Sequence, residues 1–72
     1  MSNAFEVTPD DVLNVVHRMG IKISGDKAHE IHNALNHDLI ECIALKAGNT
    51  LGEQTDAAYQ EIRRQIKEKG LL

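Results

Sequence analysis

The chain has 72 residues, 42% of them hydrophobic and 26% charged, with a formal net charge of −3. That length allows one domain with one core, and the single cysteine, Cys42, excludes an intrachain disulfide and points to a reducing, cytoplasmic compartment. The apolar runs are too short to span a bilayer, and a chain without basic excess and with one Tyr and one Phe is poorly suited to gripping nucleic acid by phosphate contacts or base stacking.

Residues 1–6 read as a flexible N-terminus that lacks the basic start and apolar stretch of a signal peptide, and Ser2-Asn3-Ala4 has the look of a cloning scar. The remainder, 7–72, reads as a single helical domain. Thr8-Pro9-Asp10-Asp11 supplies an N-cap, a proline for the first helical position and carboxylates beside the positive end of the helix dipole. A helix over about residues 9–19 follows, with Val7 and Val12 spaced as a hydrophobic staple and Gly20 placed for a left-handed C-terminal residue. Val12, Leu13, Val16 and Met19 form its buried stripe. Ile21-Lys22-Ile23 alternates like a strand but has no partner in the chain, so it reads as an extended connector.

Ser24 caps a second helix over about residues 25–35, with Ala28, Ile31, Ala34 and Leu35 facing inward. The pattern changes phase at Asn36-His37-Asp38, where Asn36 or Asp38 can cap a third helix; one long bent helix over 25–47 is the competing reading. Leu39, Ile40, Ile43, Ala44 and Ala47 share a face of this segment, while Cys42 and Leu45 point elsewhere, so it is apolar over more than one side. Gly48 ends it, and Thr50-Leu51-Gly52-Glu53 has the spacing of a capping box. The last helix, over about 52–69 and stopped by Gly70, carries a thin apolar line of Ala58, Ile62 and Ile66 that predicts packing along one narrow seam. The expected fold is all-α: a compact bundle of three to four short helices without a sheet.

His29, His32 and His37 are the candidate metal ligands, since His29 and His32 lie about one turn apart on a helix. Their spacing of three differs from the His-x-x-x-His of metalloproteases, and no cysteine pair adds ligands, so a solvated face is the preferred reading and no metal or cofactor is expected. Cys42, set between Ile40, Glu41 and Ile43, lacks the electropositive setting of a reactive thiol and reads as a small core residue. No phosphate loop or nucleophile elbow is present, and the chain reads as no enzyme. As a helix-turn-helix, the third segment would offer a DNA groove aliphatic groups and two acids. Arg63, Arg64, Lys67 and Lys69 on the last helix are the better DNA candidates, but Glu61 and Glu68 alternate with them at ion-pairing distance.

From His37 to Gly70 the chain, through Ala47-Gly48-Asn49, Glu53-Gln54-Thr55, Ala57-Ala58-Tyr59 and the run from Glu61-Ile62 to Gly70, resembles small uncharacterised proteins of bacteriophages and prophages. The resemblance covers about half the chain and carries no catalytic residue. It implies a cytoplasmic accessory protein that binds host or phage machinery.

The sequence therefore predicts a small non-enzymatic interaction module that self-associates, by default as a C2 dimer, and meets a further, unidentified protein partner. Leu39, Ile40, Cys42, Ile43 and Leu45 are its expected interface. A small DNA-binding regulator using Arg63, Arg64, Lys67 and Lys69 is the alternative.

Overall fold

The structure, a computed structural model, describes residues 7–72; the expected flexible stretch 1–6 lies outside the described residues. Four helices follow in order: α1 Pro9–Arg18, α2 Gly25–Ala34, α3 His37–Ala47 and α4 Leu51–Lys69, with no strand among the described residues. The all-α bundle read from the sequence is the observed fold.

Each helix starts on the cap its sequence offers. Thr8 and Asp11 form a full capping box: the Thr8 hydroxyl accepts from Asp11 N, and the Asp11 carboxylate accepts from Thr8 N at 2.9 Å. Ser24 accepts from Lys27 N at 3.1 Å and Asn36 from Leu39 N at 3.2 Å. At α4 the box is only half made. Thr50 accepts from Glu53 N at 3.2 Å, but the Glu53 carboxylate takes the Thr50 hydroxyl at 2.9 Å.

Cap geometry also ends α1. Gly20 adopts φ +82°, and the amides of Gly20 and Ile21 return to His17 O and Val16 O at 2.9 and 3.2 Å, satisfying carbonyls the helix leaves open. Residues 21–24 then run as an extended connector without a strand partner. The open question over 25–47 resolves into two helices: Leu35 and Asn36 both leave helical geometry, and Asn36 begins α3 as its cap.

The pairs in extensive contact are α3 with α4, α1 with α2, and α1 with α4. The two helices that flank the corner thus lean on different partners. One core joins them all, built from Val7, Val12, Val15, Val16, Ala28, Ile31, Leu35, Ile40, Ala44, Ala58, Ile62 and Ile66.

Several expected positions shift. Val15 joins Val12 and Val16 inside while Leu13 and Met19 are only half-buried, because α1 meets both α2 and α4. Ala34 is exposed at the end of α2. In α3 only Ile40 and Ala44 are buried, with Leu39 and Ala47 exposed. The α4 seam is broader than predicted, since Glu61 and Gln65 lie buried beside Ala58, Ile62 and Ile66 and widen the covered face to about 140° of the helix.

Candidate functional site

The outer face of α3 gathers two of the exposed large hydrophobic residues, Leu39 and Leu45, beside Cys42. Ile40 and Ala44 set the inward direction, and Cys42, two positions from each, points about 160° away from both. Cys42 is therefore exposed, which corrects the expectation of a small core cysteine. The reason is phase: a segment apolar on several sides does not reveal which side α4 covers. Asp38, Leu39, Leu45 and Lys46 all lie within about 60° of Cys42 around the helix, and all four are exposed, Leu39 by 36% and Leu45 by 46%. Of the five residues expected at an interface, Leu39, Cys42 and Leu45 thus share a free face. Ile43 is half-buried, and Ile40 belongs wholly to the core.

The histidines follow a different geometry. His32 Nε2 lies 2.9 Å from Val7 O, and His37 Nε2 lies 2.6 Å from His32 O. A carbonyl can only accept, so both rings donate from Nε2, and they stand 4.4 Å apart between centroids at a tilt of 57°. Each ring ties a backbone segment in place: His32 holds the approach to α1, and His37 holds the last turn of α2. His29 is exposed and outside this pair. Among the described residues, no three His, Cys, Asp or Glu side chains are gathered to share a metal ion.

Two of the four basic candidates on α4, Arg64 and Lys69, are engaged. Arg64 grips Glu61 through two bonds of 2.6 and 2.8 Å and reaches Glu68 at 2.7 Å. Lys69 Nζ donates to Ala34 O at 3.0 Å, closing an open carbonyl at the end of α2. Arg63 and Lys67 are exposed.

Glu61, read from the sequence as an ion-pairing neighbour of the basic residues of the last helix, is buried to 6% exposure. Arg64 is the reason this is tolerable: its fork holds the Glu61 carboxyl below its ordinary range, against the opposing effect of burial and with help from Gln65. Gln65, 1% exposed, was missed as a functional group of the fold. Its Oε1 accepts from Asn36 N at 2.7 Å, while Nε2 donates to Glu61 at 2.9 Å and toward Asn36 O at 3.4 Å. The amide thus pairs with the backbone of the α2–α3 corner much as a second peptide group would. A glutamine among isoleucines at helical spacing was the available signal.

No helix among the described residues is long and apolar enough to cross a membrane. Comparison with protein-family models, with curated proteins and with solved structures returns no significant match.

Proposed function

We propose that the protein is a non-enzymatic helical interaction module that pairs with a second copy of itself through the outer face of α3. The observation that carries this reading is the order of exposed side chains about Cys42: Asp38 and Leu39 on one side, Leu45 and Lys46 on the other. That order is self-complementary. In an antiparallel pair with its two-fold axis at Cys42, Leu39 meets the partner's Leu45 and Asp38 meets the partner's Lys46, with the helix dipoles opposed.

Few side chains take part in such a contact, so pairing is expected at micromolar rather than nanomolar concentration. The resemblance of the C-terminal half to small phage and prophage proteins adds a further protein partner, in host or phage machinery, to the same reading. DNA binding is the weaker alternative, because Arg64 and Lys69 are already committed to Glu61, Glu68 and Ala34 O.

Sedimentation equilibrium at tens of micromolar is expected to give twice the monomer mass, and Leu45→Glu to return it to the monomer with helical circular dichroism intact. Asp38→Lys alone weakens pairing a few-fold, and adding Lys46→Asp restores it. A wild-type monomer at that concentration, or a dimer indifferent to Leu45→Glu, overturns the proposal.

A further inference from the structure

A second surface, which shares no residue with α3, lies between α1 and α4. There Val15 and Met19 of α1 and the Tyr59 ring of α4 bound a cleft of about 140 Å³, with Arg18, Arg63 and Asp56 around it. Val15 is buried and the three charged residues are exposed, so the cleft has an apolar floor and a charged rim.

Two features of this rim bear on what it can hold. First, the ion pairs among the described residues are those of Arg64, so Arg18 and Arg63 reach the cleft without a carboxylate partner. Second, the wall they flank is fixed. The Tyr59 hydroxyl donates to Asp11 at 2.8 Å and accepts from Asn14 at 3.3 Å, and the Arg18 guanidinium lies over the Tyr59 ring, 5.2 Å from its centroid. A cation over an aromatic face keeps its full charge and remains able to take a carboxylate.

We infer that this cleft binds a monoanionic carboxylate carrying a short aliphatic group, held by Arg18 and Arg63 with its chain on Val15 and Met19. The rim selects the class: two guanidiniums face the cleft beside Asp56, with Asp11 held at its edge by Tyr59 and Thr8, so a singly charged carboxylate pairs with a guanidinium fork, whereas the further charge of inorganic phosphate near neutral pH meets the two carboxylates. Size agrees, since the volume admits a few heavy atoms. The same chemistry comes from a free short-chain acid or from the C-terminal carboxylate of a peptide ending in an aliphatic residue.

Heteronuclear NMR titration at constant ionic strength tests this with four probes: butyrate, its neutral isostere butyramide, inorganic phosphate, and acetyl-Ala-Ala-Val with a free carboxylate. Saturable shifts at Val15, Met19 and Tyr59 are expected with a Kd of about 1–10 mM, within reach of so few heavy atoms. Butyramide binds about tenfold more weakly, phosphate no more tightly than butyrate, and Arg18→Gln or Arg63→Gln each weakens butyrate several-fold. Tighter binding of the tripeptide than of butyrate identifies a peptide end as the source, and the reverse identifies a free acid. Equal affinity for butyramide and butyrate reduces the cleft to an apolar hollow and overturns the inference, as does the absence of saturable shifts with both carboxylates. Both arginines are exposed, so circular dichroism of the variants matches the parent, and the butyrate and butyramide comparison on the unmodified chain needs no variant.

Discussion

At the scale of single residues, Gln65 shows how a small domain affords a buried polar group. Its amide stands almost fully inside and makes three hydrogen bonds, so its burial leaves no orphaned side-chain atom. Gln65→Ala removes the partner of Asn36 N and one partner of Glu61, and is expected to lower stability to urea by about 1–3 kcal/mol with helical content unchanged. Beside it, Glu61 provides a pH signature. Its carboxyl is held below the ordinary value of 4.5, so the stability it contributes is complete above that value and drains away as pH falls through the lower folded value. Urea midpoints for the parent and Glu61→Gln are therefore expected to differ most near about pH 6 and to converge toward about pH 3. A gap that stays constant with pH would show that Arg64 stabilises the side chain by shape rather than by charge.

At the scale of elements, the helix boundaries were legible because each depends on local chemistry. Thr8, Ser24, Asn36 and Thr50 are all caps in the structure, and Gly20 is left-handed as its place after α1 requires. Orientation was less legible. In α3, Leu39, Cys42 and Leu45 are as apolar as Ile40 and Ala44, and only the line of contact with α4 decides that Ile40 goes inside and Cys42 stays out. In α4 the difficulty is reversed: Glu61 and Gln65 are polar by composition and buried by position, because Arg64 and Asn36 supply the partners that burial demands. The proposed pairing of α3 carries an element-scale prediction of its own. Helix axes 8–10 Å apart leave about 3–5 Å between facing Cα atoms, which overlaps the range a disulfide accepts. Mild oxidation is expected to yield a covalent dimer through Cys42, and a pairing whose axis lies away from Cys42 would not.

At the scale of the whole molecule, a single chain is about as compact as a folded protein of its size. Its surface of 4720 Å² is near the roughly 4450 Å² expected of a folded chain of this mass. Its radius of gyration of 11.7 Å is likewise near the roughly 11.2 Å expected for its length. The proposed pairing through α3 would thus add to a finished fold, and Leu45→Glu is expected to separate the copies without unfolding either. The packing itself is uneven: α2 is docked on α1 and α3 on α4, and the segment between them crosses from one packing unit to the other. The bond from Asn36 N to Gln65 sits at that crossing and spans 29 residues of sequence. Asn36 lies at an exposed corner, where a backbone amide ordinarily trades its proton with solvent in brief local openings. Here the acceptor is held in the core, so releasing the proton requires the α2–α3 corner to lift from α4. The Asn36 amide is expected to exchange with deuterium at nearly the rate of the slowest core amides, and in Gln65→Ala at the rate of a free loop.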